Sequence, residues 1–201
     1  MTATWLAERP APAAPLNLNT PPGRHLVAID IDGTTVRHDG SLSEKVRLAV
    51  ADAQRAGHHV VIATGRSVLA TMPVLEALGL HGLVVCSNGA VLAERTSADP
   101  RGFRVLATST FDATPALELL RDSWPDAYVA VEEVGVGFKV TPGFPAHELE
   151  GRVREVDWEE LLAGPATRVT FRCPTSTAED FMGLVSRIGL HGVNYAVGFT
   201  A

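Results

Sequence analysis

Two aspartates one residue apart, Asp30 and Asp32, end the apolar run LVAIDI and precede Gly33 and two threonines. Burying an unpaired carboxylate costs several kcal/mol, so two acids after a core strand need a counter-charge or a function. Close carboxylates repel each other unless a hard cation compensates, and Mg²⁺ prefers oxygen ligands of this kind. Gly33 lets the backbone approach a ligand, and amides in such a turn attract an anion. The combination suits phosphoryl transfer through an aspartyl-phosphate.

Two further polar clusters follow apolar runs. TGR (64–66) directly follows the apolar run HHVVIA. SNG (87–89) begins at Ser87, the last residue of the run GLVVCS. In open α/β sheets, ligands bind outside the carboxyl ends of the strands, so the three clusters are predicted to share one crevice. Two structural alternatives remain open: Arg66 pairs with a surface acid, or Asn88 and Gly89 form a tight turn.

The elements that position these clusters alternate regularly. Predicted strands cover 26–31, 58–63 and 82–87, and predicted helices run from Ser41 or Ser43 to Gly57 and from Ser67 to Gly79, the second restarting or bending at Pro73. Because the strands are continuously apolar and alternate with helices, they indicate an α/β fold with a doubly wound, Rossmann-like parallel sheet.

After Asn88 the pattern changes to mostly antiparallel strands. The predicted elements are an AVLAE/RVLATS pair, a helix at 112–122, a YVAVEE/VGFKV hairpin around Gly135, a helix at 157–163, the strand TRVTFRC, a helix at 177–188 and the strand GVNYAVGFT. We therefore divide the chain into a flexible leader (1–24), an α/β core (25–110) and an α+β unit (111–201).

The composition argues against some classes of function. The 201 residues are 46% hydrophobic, with a net charge of −6 and a mean hydropathy of +0.13. Because no basic stripe occurs, nucleic-acid binding is not expected. No apolar run approaches the roughly 20 residues that span a bilayer. The leader lacks the pattern of a signal peptide, and Cys86 and Cys173 lack metal-ligand spacing, so we expect a cytoplasmic protein with reduced thiols.

The motifs DIDGTT and VIATGR resemble the first and second motifs of the haloacid dehalogenase (HAD) superfamily. SNGA, followed by a long α+β insertion, resembles the Cof-type branch with a C2 cap. The segment VRHDGSLSEK is too short to hold a C1 cap, which agrees with this branch. The resemblance covers His25 to about Ala201 and implies a Mg²⁺-dependent phosphatase acting on small phosphorylated metabolites.

The resemblance also implies residue roles. Asp30 would be the nucleophile and a Mg²⁺ ligand, and Asp32 the general acid and base, with its carbonyl facing the metal. Thr64 would bind the phosphoryl oxygens together with turn amides near Gly33 and Gly65. Arg66 and Asn88, the latter followed by Gly89, would contact the substrate or orient the nucleophile.

The sequence departs from the family pattern in one respect. The family places a lysine and a second acidic pair downstream of the cap, whereas this chain has no lysine after Lys139 and no acid after Asp180. We therefore expect the HAD core to be incomplete, with its C-terminal part absent. An uncovered core edge of that kind would favour self-association, and Mg²⁺-dependent hydrolysis by this chain would be weak.

Three alternatives share parts of this pattern. A phosphomutase of the same superfamily would pass the phosphoryl group to a second sugar hydroxyl rather than to water. A non-catalytic phosphate-binding module would keep the anion-binding turns without turnover. A receiver domain phosphorylated on aspartate would share the sheet, but it leaves the long α+β insertion unexplained.

Overall fold

The computed structural model describes residues 23–173 together with 177, 179–180, 182–183, 194–195 and 199–200. Almost all of the predicted leader 1–24 and most of the predicted helix 177–188 lie outside these residues. Within them, the strands form one sheet of five strands and one of six. No helix of this part of the chain is long and apolar enough to cross a membrane.

The first sheet has the strand order β1-β2-β3-β4-β5. Its strands are β1 (Leu26–Ile29), β2 (His59–Ala63), β3 (Gly82–Cys86), β4 (Val91–Arg95) and β5 (Phe103–Thr108), and its helices are α1 (Glu44–Arg55) and α2 (Val68–Leu78). The first three strands are parallel, and the last two continue the sheet antiparallel. The predicted α/β fold with a parallel sheet is therefore confirmed.

Serine side chains explain where the two helices begin, and a glycine explains where the second one ends. Ser43 Oγ accepts a hydrogen bond from the Val46 amide, and Ser67 caps α2 in the same way. Gly79 adopts a left-handed conformation with φ 66° and ends α2. The predicted restart at Pro73 does not occur, since α2 continues through this residue as one helix.

The second sheet has the order β10-β11-β9-β6-β7-β8. Its strands are β6 (Tyr128–Glu133), β7 (Gly137–Val140), β8 (Arg152–Glu155), β9 (Val169–Arg172), β10 (Asn194–Tyr195) and β11 (Phe199–Thr200), accompanied by α3 (Thr114–Ser123) and α4 (Trp158–Leu162). β8 was not predicted, and it pairs parallel with β7. The single predicted strand GVNYAVGFT is wrong, because β10 and β11 pair antiparallel with each other.

The two sheets have separate cores but touch each other. Ile31, Ile62 and Val84 are fully buried in the first core, whereas Leu117 is fully buried in the second. Val134, just after β6, packs against the first core. The hairpin of the second sheet therefore lies against the first sheet.

Candidate functional site

The turn after β1 is held by its own backbone. The Ile31 carbonyl accepts hydrogen bonds from the amides of Thr34, Thr35 and Val36 at 3.3, 2.9 and 2.8 Å. The buried Thr35 hydroxyl donates to the Asp30 carbonyl at 2.5 Å. Because the chain already turns here, β1 ends at Ile29 rather than continuing through Ile31 as predicted. These bonds fix the backbone from which the Asp30 carboxylate projects.

The turns after β2 and β3 are joined to each other. The Asn88 amide donates to the Thr64 carbonyl at 3.1 Å, and the Ser87 amide donates to the Arg66 carbonyl at 2.8 Å. β1 pairs parallel with β2, with Ile29 opposite Ile62. The turn after β1 therefore lies at the same edge of the sheet as the turn after β2.

The turn at 87–89 has an unusual backbone. Ser87, Asn88 and Gly89 have φ angles of 50°, 54° and 96°, so three consecutive residues are left-handed. Glycine adopts this region freely and asparagine tolerates it, but serine rarely does. Strained backbone of this kind persists only where surrounding contacts hold it, and it is frequent at functional sites.

Arg66 binds the Asp32 carboxylate through two nitrogens. Nε lies 3.0 Å from Oδ2, and Nη2 lies 2.6 Å from Oδ1. These hydrogen bonds are the main cause that raises the pKa of the Arg66 guanidinium above its ordinary value, with smaller contributions from Glu150 and Asp30. The alternative that Arg66 pairs with an acid is thus observed, but the acid is Asp32, one of the predicted site residues.

The predicted site residues differ in exposure. Thr64 is buried, Gly65 and Arg66 are half-buried, and the exposed ones are Asp30, Asp32, Gly33, Asn88 and Gly89. The Thr64 hydroxyl accepts a hydrogen bond from the Arg66 amide at 3.2 Å. The carboxylates and the glycine turns thus face solvent at an edge whose supporting residues are buried.

A groove of about 340 Å³ adjoins Arg66. It runs between the loop after β1 and α2, and its lining includes Val36, Leu42, Ala70, Val74 and Glu150. Its walls are mostly aliphatic, whereas Arg66 and Glu150 supply charge. Glu150 precedes β8, so the second sheet contributes to a groove that otherwise belongs to the first.

Three residues near these turns were not predicted as site residues: Thr35, Glu132 and Arg168. Ser87 Oγ donates to Glu132 Oε2 at 2.7 Å, and Arg168 Nη1 donates to the Gly65 carbonyl at 2.6 Å. One signal was available in YVAVEE, because Glu132 alternates with the buried Ala130 on one face of its strand. A charged residue on a buried face requires a partner.

The donor set after β1 fits Mg²⁺. Among the described residues, no three or more His, Cys, Asp or Glu side chains form a metal-binding group. Mg²⁺ does not need such a group, because it is commonly held by one or two carboxylates together with waters and substrate phosphates. Asp30 has an exposed carboxylate in a fixed turn, and that is a donor of the required type.

The sequence is similar to those of two proteins of Bacillus subtilis (strain 168). YkrA of Bacillus subtilis (strain 168) is 45% identical over 69 residues, which are 34% of this chain and 27% of YkrA. The 5-amino-6-(5-phospho-D-ribitylamino)uracil phosphatase YcsE of the same strain is 24% identical over 188 residues, covering 87% of this chain and 72% of YcsE. The chain thus spans little more than a quarter of the first relative.

A solved structure gives the same fold. BT1666 from Bacteroides thetaiotaomicron, described among phosphatases of the HAD superfamily, superposes with a TM-score of 0.67 at 23% identity, covering 94% of this chain and 69% of that chain. The family model of haloacid dehalogenase-like hydrolases matches residues 27–122, which contain all three polar turns. Residues 27–122 of this chain are therefore similar to the haloacid dehalogenase-like hydrolase family.

Proposed function

We propose that this chain carries the phosphoryl-transfer site of a Mg²⁺-dependent phosphatase that hydrolyses small phosphomonoesters. The observation that carries the proposal is the arrangement of three turns at one sheet edge. The turn after β1 carries two exposed carboxylates on a fixed backbone, and the turns after β2 and β3 are joined through Thr64 and Asn88. Acidic groups beside anion-binding turns suit phosphoryl transfer.

In this proposal Asp30 is the nucleophile. One of its carboxylate oxygens attacks phosphorus, and the bond from phosphorus to the leaving oxygen breaks. Asp32 donates its proton to that oxygen, so the product leaves as a neutral alcohol. Asp32 then takes a proton from water, the water oxygen attacks phosphorus, and the bond to Asp30 breaks to release inorganic phosphate.

The other turn residues bind and orient. The Thr64 hydroxyl and the amides near Gly33 and Gly65 hold the phosphoryl oxygens, and Asn88, whose amide donates to the Thr64 carbonyl, contacts the substrate or orients the nucleophile. Arg66 holds the Asp32 carboxylate through two hydrogen bonds. Mg²⁺, bound by Asp30 and the Asp32 carbonyl, would neutralise negative charge on the phosphoryl group.

A covalent trap tests this function. The chain is mixed with an aryl phosphate and Mg²⁺, quenched in acid and analysed by peptide mass spectrometry. We expect the peptide that contains Asp30 to gain the mass of one phosphoryl group. The corresponding peptide of Asp30→Asn should not gain this mass, and neither should the native peptide when a chelator is present. In Asp32→Asn, turnover is expected to fall about 10²–10⁴-fold, because general acid–base catalysis is lost.

The outcomes separate the alternatives. Phosphoryl transfer from the protein to an added sugar phosphate would indicate a phosphomutase. Binding of inorganic phosphate without any labelled peptide would indicate a binding module. Phosphate release at the native rate by Asp30→Asn would contradict the covalent mechanism.

A further inference from the structure

Two hydrogen bonds join the second sheet to the proposed phosphate-binding turns. Arg168 Nη1 donates to the Gly65 carbonyl, in the turn after β2, at 2.6 Å. Ser87 Oγ, in the turn after β3, donates to Glu132 Oε2 at 2.7 Å. Each turn therefore has one partner from the other sheet.

These two partners contact each other. Arg168 Nε lies 3.4 Å from Glu132 Oε2, and the two side chains are 10% and 1% exposed. Their backbones are also joined, since the Glu132 amide donates to the Arg168 carbonyl at 3.2 Å. Glu132 and Arg168 thus form a buried ionic unit with one contact to each turn.

Stability alone is a poor reason for such a unit. Removing two charges from water is expensive, and a well-packed apolar pair is often equally or more stable. Moreover, among the described residues, Glu132 Oε1 and Arg168 Nε have no hydrogen-bond partner. Arg168 gains some stabilisation from the face of Phe138, whose ring centre lies 5.3 Å away. A role in fixing the geometry of the two turns would account for this pair.

The turns that it contacts require such support. Ser87 and Asn88 are both left-handed, and their amides bond the carbonyls of Arg66 and Thr64. Strained residues keep their conformation only when several contacts determine it. The bond from Ser87 Oγ to Glu132 adds a contact beyond the backbone, and Arg168 does the same for the turn at Gly65.

We propose that Glu132 and Arg168 are positioning residues that hold the 64–66 and 87–89 turns at a fixed separation. The second sheet thereby sets the geometry of the anion-binding edge on the first sheet. The consequence for phosphate affinity rests on the proposed function, whereas the consequence for the two turns does not.

Hydrogen exchange at single amides tests the structural part. The Ser87 and Asn88 amides report directly on the joined turns, because they donate to Arg66 and Thr64. We expect Arg168→Met to accelerate their exchange about tenfold, the scale of a lost hydrogen bond to a charged group, with the interior amides of β3 unchanged. Ser87→Ala provides a second, milder variant with the same expected pattern.

Arg154→Met is the matched control, because Arg154, on β8, pairs with Glu160 of α4 at 2.6 Å and with Glu133 at 3.8 Å, away from both turns. It is expected to leave the Ser87 and Asn88 amides at native rates. Unchanged exchange at these amides in both Arg168→Met and Ser87→Ala would overturn the proposal. Equal acceleration throughout both sheets would also overturn it, since that result indicates general destabilisation.

Inorganic phosphate, titrated calorimetrically with Mg²⁺, tests the functional part. We expect Arg168→Met to weaken its binding about tenfold and Arg154→Met to leave it unchanged. Equal affinity in the native chain and Arg168→Met would refute the role in anion binding. If the native chain binds no phosphate, the proposed function fails, and the exchange experiment still decides the positioning role.

Discussion

Arg66 and Asp32 meet through two parallel hydrogen bonds, although they follow different strands and lie 34 residues apart in the chain. Their side chains are 31% and 55% exposed. A bidentate contact fixes the plane of the carboxylate as well as its position. Arg66 therefore determines where the Asp32 oxygens lie relative to the turn after β1.

This pairing predicts that Arg66→Lys is not a conservative change. A lysine ammonium cannot reproduce the planar fork, so Asp32 would lose its fixed orientation. We expect turnover of an aryl phosphate to fall about tenfold, on the scale of one misplaced catalytic group. Arg104→Lys, which alters the exposed pair with Glu94, should keep the native rate. Equal rates for the native chain, Arg66→Lys and Arg104→Lys would show that turnover does not need the bidentate contact between Arg66 and Asp32.

A second prediction concerns the Thr35 hydroxyl. Thr35→Val keeps the shape of the side chain but leaves the Asp30 carbonyl without its 2.5 Å donor. We expect the free energy of unfolding to fall by about 1 kcal/mol and turnover to fall as well. Thr34→Val, at the exposed neighbouring position, is the control and should change neither. Denaturant titration and phosphate release measure the two effects.

A third prediction follows from the fully buried Cys86. Burial raises the pKa of its thiol from 9.0 to about 11, and a hydrogen bond to Thr71 offsets only part of this. Between pH 9 and 11 the thiol ionises in the unfolded chain but stays protonated in the folded chain. The contribution of Cys86 to stability is therefore complete below pH 9 and is lost as the pH rises to 11. The free energy of unfolding should fall by about 1 kcal/mol per pH unit in this window.

The control for this effect is Cys86→Val, which has no thiol. Subtracting its unfolding free energy from that of the native chain at each pH removes the contribution of lysines and tyrosines. A difference that stays constant from pH 8 to 11 would contradict the raised pKa. Alkylation of the folded chain at pH 8 should also be much slower at Cys86 than in denaturant.

A fourth prediction uses a glycine where β7 meets β8. A Cβ at Gly137 would lie 2.1 Å from the Arg152 carbonyl oxygen, and φ is +149°. We expect Gly137→Ala to cost about 3 kcal/mol or more, because backbone must move. Gly164→Ala has φ +93° and nothing within 4 Å, so it should cost only about 1 kcal/mol. Thermal unfolding of both variants gives the comparison.

A fifth prediction concerns β1, which lies at one end of the strand order of the described first sheet. Leu26 is 71% exposed there. An exposed apolar edge strand pairs readily with another chain, so we expect concentration-dependent self-association. Leu26→Lys should weaken it, whereas Leu48→Lys, at another exposed leucine, should not. Sedimentation showing a monomer at every concentration would contradict this expectation.

The first sheet was predictable because its signals are local. Ser43, Ser67 and Gly79 mark helix ends, and three apolar runs mark parallel strands. β8 was missed because RVRE is short and mostly exposed, so it lacks an alternating pattern of apolar and polar residues. Its position depends on the close approach of Gly137 to Arg152, which only the folded sheet reveals.

The same distinction between local and long-range signals applies to the candidate site. Asp30, Thr64 and Asn88 were placed by the rule for strand ends, which needs only the order of elements. Glu132 and Arg168 escaped prediction because their contacts span 45 and 103 residues. Arg66 stays a predicted site residue, and its pairing with Asp32 depends on how β1 and β2 align, which residue spacing does not encode.

The 103-residue separation of Arg168 from Gly65 also bears on the order of folding. β6 and β9 pair within the stretch from Tyr128 to Arg172, and β1 to β5 pair within another, so each sheet can form from shorter chain closures. A contact that closes a much longer loop has a larger entropic cost and tends to form late. Loss of the Arg168 contact should then speed unfolding and leave the refolding rate nearly unchanged. The residues that join the two sheets would control how long the native state persists rather than how quickly it is reached.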